Sequence, residues 1–173
     1  EEALKKIELL MNQAGINQNL SPARSAALLK EETTGGPAGA MVLPDGRVVT
    51  GKTGNLLGAA SALLMNALKG VSGVDDELYV ISDDVLEPIC HLKTAHLRSH
   101  NPRLHSDETL LALSISSVSN PLAAELIDNA DKLRGCDAYF SVIISAADEK
   151  LYRTLGINVC CEPKYEQHRY YHK

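Results

Sequence analysis

Residues 40–70 read AMVLPDGRVVTGKTGNLLGAASALLMNALKG, and this stretch predicts the centre of the fold. Two strand-like runs, 41–44 and 47–50, flank Asp45-Gly46, a dipeptide that favours a two-residue hairpin turn. Residues 56–69 are almost entirely apolar, which predicts a helix that other elements cover on most sides. We therefore expect a β-hairpin that leads directly into a central helix.

The composition of the 173 residues restricts the classes of function. Apolar residues make up 45% of the chain, so a sizeable core can be buried. The formal net charge of −5 disfavours general nucleic-acid binding, which needs a basic surface. The chain contains no run of about 18 apolar residues, so we expect no membrane span. The four cysteines are not spaced as a disulfide framework or a metal-binding pair. We expect a cytoplasmic protein, present here as a fragment of a longer chain.

The rest of the sequence predicts an α/β fold. Residues 78–81 and 139–144 are short continuous apolar runs, typical of strands buried on both faces, and 157–161 is a last strand after a helix. The expected domain, 37–173, is a mixed sheet begun by the β-hairpin, with helices on both faces. Residues 1–36 predict only helices, which we interpret as an N-terminal appendage that belongs partly to a missing N-terminal region.

This order of elements resembles the cytidine-deaminase-like architecture without its zinc motifs. Deaminases need an HxE on the first helix and a PCxxC on the next to hold zinc and its general acid/base. The central helix has no histidine, and Pro88-Ile-Cys90-His91 lacks the second thiol. The analogy therefore concerns the fold and implies no deaminase activity.

Residues 46–53 satisfy the phosphate-loop pattern GxxxxGK[ST] letter for letter. A phosphate loop needs a wrapping, backbone-exposing segment, whereas its four central residues are here Arg-Val-Val-Thr and its first glycine belongs to the predicted turn. We therefore expect a strand and no nucleotide-binding loop. A simpler anion site stays open, in which Lys52, Thr53 and backbone N–H groups at the helix start hold a carboxylate or phosphate. The alternative is a helix cap beside a solvated lysine.

Four of the six histidines lie between His91 and His105. His96 and His100 have an i, i+4 spacing, which can chelate a metal on a helix. Histidines are also favoured near a helix C-terminus by the helix dipole, and the predicted helix ends near Asn101. We expect a polar helix end and no metal site.

The segment 101–108, Asn-Pro-Arg-Leu-His-Ser-Asp-Glu, begins another predicted helix. His105 is the candidate catalytic residue, because a histidine fixed by a neighbouring carboxylate, here Asp107 or Glu108, can act as a general base. The alternative is ordinary helix-start chemistry, with Ser106 as the cap and the two acids favourable to the dipole.

Candidate ligand-binding residues lie at several predicted element ends. Lys52 and Thr53 precede the central helix, and Arg103 precedes the helix that begins in the segment 101–108. Glu162 and Tyr165 follow the last strand, where α/β proteins often place ligand groups. We predict that the start of the central helix and the Arg103–His105 turn face one anion-binding cleft.

Segments along nearly the whole chain resemble one family of uncharacterised bacterial proteins. They include Pro37-Ala-Gly-Ala, Leu43-Pro-Asp-Gly, Val49-Thr-Gly-Lys-Thr, Asn101-Pro-Arg-Leu-His and Cys161-Glu-Pro-Lys-Tyr. On these segments the chain is identified as a member of the family called domain of unknown function eighteen-forty-six, and it resembles the C-terminal part of that family.

The resemblance implies a much longer cytoplasmic protein whose preceding region carries its own phosphate-loop-like stretch. It implies that this chain holds no cofactor of its own and that the full-length protein can use a nucleotide. The family has no known reaction. Two functions stay open, and with them whether the chain is an enzyme. The domain completes an anion- or phosphate-binding active site of a nucleotide-using enzyme, or it is a non-catalytic assembly or regulatory module. In the second case, residues 1–36 and the C-terminal tail pack on the missing region or on a second copy in a homo-oligomer.

Overall fold

The computed structural model describes residues 2–15 and 21–166. Over these ranges it contains seven α-helices and four β-strands, and it confirms the predicted α/β class. The elements are α1 (Glu2–Gln13), α2 (Pro22–Thr34), β1 (Ala38–Val42), β2 (Val48–Lys52), α3 (Ala59–Ser72), α4 (Asp83–His91), α5 (Ser106–Ser116), α6 (Pro121–Asp128), β3 (Asp137–Phe140), α7 (Ala146–Thr154) and β4 (Asn158–Cys161). A π-helical turn, Leu92–His96, continues α4, and a 3₁₀ turn, Ala130–Leu133, follows α6. The C-terminal tail, for which we predicted contacts to another region or chain, lies outside the described residues from 167 onward.

The four strands form one mixed sheet in the order β2-β1-β3-β4. β1 pairs antiparallel with β2 and with β3, whereas β3 and β4 are parallel and are joined through α7. It follows that β2, β3 and β4 run in the same direction, so their carboxyl ends meet at one edge of the sheet. Ligand groups of α/β proteins commonly lie at such an edge.

The predicted hairpin is confirmed, but its turn is one residue longer than predicted. The Leu43 N–H donates to the Arg47 carbonyl at 2.8 Å, so three residues, 44–46, form the turn. Gly46 closes it with a φ of 85°, and its N–H donates to the Leu43 carbonyl at 2.9 Å. A two-residue type I′ turn needs positive φ at both central positions, and here only the glycine adopts it. After this turn, the phosphate-loop pattern continues through Arg47 and β2 and ends at Thr53, the residue that follows β2.

Helices cover both faces of the sheet. α3 packs against β1 and β2 on one face, and α2 packs against β1, β2 and β3 on the other. The larger core lies on the α3 face, where Met41, Leu63 and Phe140 are fully buried. Gly51 allows the close approach of α3 to the sheet, because a Cβ atom at this position would collide with the backbone of Leu63.

The central helix starts and ends later than the predicted range, 56–69. It begins at Ala59, and its C-cap is Gly73, which has the left-handed φ of 69° that favours glycine. Gly70, the residue after the predicted range, does not end the helix. It lies inside α3, where a Cβ atom would meet the side chain of Leu43, so its small size serves packing.

The predicted strand at residues 78–81 is absent. This segment is irregular, with Leu78 and Tyr79 exposed and with Val80 and Ile81 buried. Two side chains of this apolar run thus pack in the core, and the segment does not pair with a strand of the sheet. β3 also ends at Phe140, before the predicted end at residue 144, although the Ser141 N–H still donates to the Ala38 carbonyl at 2.9 Å. The cytidine-deaminase-like order of elements stays a prediction.

The two N-terminal helices differ in their packing. α2 packs on the face of the sheet, with Ala23 and Ala27 buried against Ala40, so this part of the predicted N-terminal appendage covers the sheet. α1 leaves Ile7 and Leu10 more than half exposed. The division into segments 1–36 and 37–173 stays a prediction. None of the helices within the described ranges combines the length and the apolar character that crossing a bilayer requires.

Candidate functional site

A cleft of about 440 Å³ lies at the sheet edge where β2, β3 and β4 end. We call it the His105 cleft. Its walls come from the start of α3, the turn before α5, the start of α7 and the segment after β4. Four of the six sequence-predicted site residues line this cleft, namely Thr53, Arg103, His105 and Tyr165.

The turn before α5 is fixed against the loop before α3 through Leu104. The Leu104 N–H donates to the Leu56 carbonyl at 2.8 Å. In return, the Leu104 carbonyl accepts the Gly58 N–H at 3.4 Å and the Ser61 hydroxyl at 2.7 Å. These bonds place the starts of α3 and α5 side by side.

α7 is held against the same helix start by a buried tyrosine. The Tyr152 hydroxyl donates to the Ala60 carbonyl at 2.7 Å, and its ring packs edge-to-face on Phe140 with centroids 5.4 Å apart. Because Tyr152 is fully buried, this contact fixes α7 relative to α3. The first turn of α7 therefore faces the turn that carries His105.

That first turn supplies the carboxylate of the site, Asp148. Its Oδ2 lies 3.2 Å from His105 Nδ1 and accepts the Ser145 hydroxyl at 2.6 Å. Its Oδ1 accepts the Ser106 N–H at 2.8 Å and the Ser106 hydroxyl at 2.6 Å. Asp148 is buried, so these four contacts replace the water that a carboxylate would otherwise need.

The environment shifts the pKa of both members of the pair. Burial by itself would raise the pKa of Asp148, but the hydrogen bonds from His105, Ser106 and Ser145 together lower that pKa to about 2. The hydrogen bond to Asp148 raises the pKa of His105 above its ordinary value of 6.5, against the opposing effect of burial. With Nδ1–H directed to Asp148, a neutral His105 carries its lone pair on Nε2. This nitrogen has no hydrogen-bond partner among the described residues, and the side chain is 30% exposed.

Sequence reasoning named the wrong carboxylates for His105. Asp107 is exposed and accepts the Glu108 N–H, and Glu108 accepts the backbone N–H of His105 at 2.7 Å. The carboxylate that contacts the imidazole lies 43 positions further along the chain. In the sequence, Asp148 shows only as the acid of a helix-capping segment that begins at Ser145, so nothing local connects it to His105.

Lys93 stabilises the turn before α5. It is only 7% exposed, and its Nζ donates to the Arg103 carbonyl at 2.7 Å and to Glu108 Oε2 at 2.6 Å. Since the same Glu108 oxygen accepts the His105 N–H, one partly buried ion pair fixes the backbone on both sides of Leu104. Sequence reasoning gave Lys93 no role.

Arg103 connects two walls of the cleft. Its Nε donates to the Gly54 carbonyl at 2.8 Å, and its Nη1 lies 3.4 Å from Glu166 Oε1. The guanidinium therefore links the loop before α3 to the segment after β4. Tyr165 lies beside this pair and is 79% exposed, which places it at the rim of the cleft.

Two predicted ligand residues lie outside the His105 cleft. Lys52 is exposed and lines a neighbouring cavity. Glu162 forms an ion pair with Arg24 of α2 at 2.7 Å and accepts the Tyr139 hydroxyl at 2.9 Å. Glu162 thus connects α2 to the end of β4.

The histidine-rich segment does not present its side chains on one helix face. The π-helical turn ends at His96, before the predicted end near Asn101, so His100 lies beyond it. The rings of His91 and His96 pack edge-to-face with centroids 5.8 Å apart. Within the described ranges, no three potential ligand side chains lie close enough to hold a metal ion. That the chain binds no metal stays a prediction.

Comparison with known proteins identifies relatives along the whole chain. The family model described as "Domain of unknown function DUF1846, C-terminal" matches residues 19–171. The UPF0371 protein CE2832 of Corynebacterium efficiens is 44% identical over 168 residues, which cover 97% of this chain and 34% of that protein. The UPF0371 protein of Streptococcus thermophilus is 44% identical over 173 residues, which cover 100% of this chain and 35% of that protein. This chain thus spans about a third of the length of the curated relatives it matches. It belongs to the DUF1846 family and contains the C-terminal domain of that family.

Proposed function

We propose that the His105 cleft is part of an active site in which His105 transfers a proton to or from an anionic substrate. The observation that carries this proposal is the pair of His105 and Asp148, in which a buried ionised carboxylate holds Nδ1 of a histidine that lines the cleft. A carboxylate in this position fixes the tautomer and stabilises the imidazolium that forms when Nε2 accepts a proton.

The protonation behaviour of His105 supports the proposal. The hydrogen bond to Asp148 raises the pKa of this imidazole, and the pKa of Asp148 is about 2, so the carboxylate stays ionised while His105 gains or loses a proton. An ionised carboxylate beside the ring stabilises the imidazolium form of a general base. Perturbed pairs of this kind in a cleft are typical of functional sites.

The start of α3 supports an anionic substrate group, either carboxylate or phosphate. Ala59 and Ala60, the first residues of this 14-residue helix, line the cleft. The backbone N–H groups in the first turn of a helix have no carbonyl acceptor within that helix, and the helix dipole favours negative charge at this end. Thr53 adds a hydroxyl, and Arg103 adds a cation that remains connected to Glu166.

In this proposal the domain completes the active site of a larger, nucleotide-using enzyme. Its own phosphate-loop pattern lies in the hairpin and β2, so the nucleotide binds to the region that precedes this domain in the full-length protein. The substrate group lies between that region and the His105 cleft. The length of the relatives, about three times that of this chain, leaves room for such a region.

Anion binding to the cleft can be tested by titrating the protein with inorganic phosphate and with acetate while recording the imidazole resonances by NMR. We expect a saturable shift of the His105 resonance and a higher His105 pKa in the bound state. Arg103→Gln should weaken binding by about 1–3 kcal/mol, as expected for a charge-assisted hydrogen bond. Arg153→Gln, which alters an exposed arginine of α7, is the matched control and should bind normally. An unchanged His105 resonance up to millimolar anion would refute the proposal.

A second candidate function, assembly with the preceding region, rests on α1. This helix lies outside the matched family model, and its Ile7, Leu9 and Leu10 side chains are 53–57% exposed. We propose that this apolar surface packs on the preceding region in the full-length protein. Leu10→Glu should then lower the thermal stability of the full-length protein but not that of the 173-residue chain, whereas Lys6→Glu should affect neither. If the full-length protein with Leu10→Glu melts at the same temperature as the unaltered full-length protein, the assembly function is contradicted.

A further inference from the structure

A second cavity, of about 460 Å³, lies on the other side of the loop that connects β2 to α3. Residues 54–57 of this loop line the second cavity, whereas Thr53 and Gly58 line the His105 cleft. The opposite walls are α3 and the irregular segment 76–81. We call it the Lys69 cavity. Its volume lies within the range of small-molecule sites.

Most of the wall of the Lys69 cavity is apolar. Leu56 and Leu57 contribute from the loop, Met65 from α3, Ile81 from the irregular segment and Leu86 from α4. Met65, Ile81 and Leu86 are each at most 6% exposed, so they present fixed hydrocarbon surface that belongs to the core. A ligand with an apolar part would remove this surface from water, which is favourable.

Lys69 is the unusual group of this wall. It is 8% exposed, and its Nζ donates to the Asp76 carbonyl at 2.7 Å. Within the described part of the chain, no carboxylate forms an ion pair with it. An ammonium has three donors, and a buried charge is costly unless it is paired. Burial lowers the pKa of Lys69, although Asp76, Glu77 and Asp75 oppose this effect from a longer distance.

We infer that the Lys69 cavity binds a small amphipathic monocarboxylate, whose carboxylate pairs with Lys69 Nζ and whose hydrocarbon part contacts Met65 and Leu86. Lys52, one of the ligand residues predicted from the sequence, stands at the same wall and adds a second, exposed cation. The ligand would supply the counter-ion that the buried ammonium lacks.

The acidic residues of the wall restrict the charge of the ligand. Asp76, Glu77 and Asp83 also line the cavity, and all three are exposed. Water and salt screen exposed charges, whereas the attraction to a buried ammonium is screened much less. A single negative charge can therefore bind at Lys69, and a doubly charged phosphate group is disfavoured by the three acids.

This site is separate from the proposed proton-transfer site. Neither His105 nor Asp148 lines the Lys69 cavity, and Lys69 does not line the His105 cleft. Loss of either function in an experiment would therefore leave the other untouched. Arg103 connects them only through its bond to the Gly54 carbonyl in the shared loop.

The test is a methyl NMR titration of the protein with hexanoate, hexan-1-ol and hexylphosphonate. We expect hexanoate to cause saturable shifts at the methyl groups of Met65 and Leu86, and the other two probes to bind at least tenfold more weakly. Lys69→Met should weaken hexanoate binding by a factor of about ten or more and leave hexan-1-ol binding unchanged. Lys150→Met, which changes an exposed lysine of α7, should bind hexanoate normally.

A measurement on the unaltered protein covers the case in which Lys69→Met does not fold. Hexanoate should raise the pKa of the Lys69 ammonium, read from its side-chain resonances, because the carboxylate favours the charged form. The inference is overturned if hexanoate causes no saturable shift, if Lys69→Met binds it with unchanged affinity, or if the shifted methyl groups surround the His105 cleft.

Discussion

Replacing Asp148 with asparagine would test the His105 pair most directly. In the native site, Oδ1 accepts two bonds from Ser106, and Oδ2 accepts from Ser145 and faces His105 Nδ1. An asparagine can supply an oxygen at only one of these positions. The Ser106 backbone N–H cannot reverse its role, so the amide oxygen must face Ser106 and the amide NH₂ must face His105. His105 then has to accept at Nδ1 and carry its proton on Nε2.

The structure sets the size of the effect. Lowering the pKa of Asp148 from 3.8 to about 2 corresponds to about 2 kcal/mol in favour of the ionised form. Asp148→Asn should therefore lower the free energy of unfolding at pH 6 by at least about 2 kcal/mol. The pKa of His105 is raised in the folded state, so its contribution is complete below pH 6.5 and is lost as the pH rises through the folded value. The penalty of the variant should accordingly be larger at pH 6 than at pH 8.

Two measurements check this prediction. Urea denaturation at both pH values gives the change in the free energy of unfolding. Long-range ¹H–¹⁵N NMR spectra of the imidazole give the tautomer and the pKa of His105, with His105→Gln to identify its signals. We expect the native protein to show Nδ1–H and a pKa above 6.5, and Asp148→Asn to show Nε2–H and a pKa below that of the native protein.

The control is Asp107→Asn, which changes an exposed carboxylate two residues from His105. It should alter neither the tautomer nor the pKa, because Asp107 accepts only the Glu108 N–H among the described residues. If Asp148→Asn keeps Nδ1–H and the raised pKa, the account of the pair is wrong.

Three further predictions concern the framework of the site. Lys93→Met leaves the partly exposed Glu108 without its cation and the Arg103 carbonyl without its donor, so it should lower the free energy of unfolding by about 1–3 kcal/mol in urea denaturation. An unchanged free energy of unfolding would show the pair to be unimportant. Gly51→Ala should destabilise the fold by about 2–3 kcal/mol through collision with α3, whereas Gly54→Ala, where space is open, should change stability by less than about 0.5 kcal/mol; equal effects would contradict the packing argument. The contribution of Asp148 to the free energy of unfolding is complete above pH 3.8 and is lost as the pH falls to about 2. Across this window the native protein should therefore lose about 2 kcal/mol of stability relative to Asp148→Asn. Parallel acid denaturation curves for the two proteins would exclude that contribution.

Local signals in the sequence were sufficient for most helices and for the hairpin. The Asp45-Gly46 dipeptide located the turn, and the dipeptides Ser21-Pro22 and Asn120-Pro121, which are typical of helix starts, stand at the starts of α2 and α6. Each of these signals acts within a few residues, through a backbone angle or a capping hydrogen bond. A single sequence can therefore reveal them. The candidate catalytic histidine was also named from its own neighbourhood, at the start of a predicted helix.

The same local reasoning failed where burial or charge depends on distant residues. The apolar run at 78–81 has the composition of a buried strand, but it packs Val80 and Ile81 into the core and pairs with no strand of the sheet β2-β1-β3-β4. Glu162 has the position of a ligand residue after the last strand, yet α2 brings Arg24 against it. Lys52 precedes the central helix, as predicted, but faces another cavity.

The sequence by itself determined the hairpin, the central apolar helix and the presence of a histidine at a helix start, because those depend on neighbouring residues. The tertiary structure alone decided which carboxylate holds that histidine, which cations line which cavity, and which glycine allows α3 to approach the sheet. His105 and Asp148 meet only because Leu104 fixes one turn to the start of α3 and Tyr152 fixes α7 to the same helix. Contacts between residues far apart in the chain set the charge, the tautomer and the surroundings of the candidate site, and no local pattern encodes them.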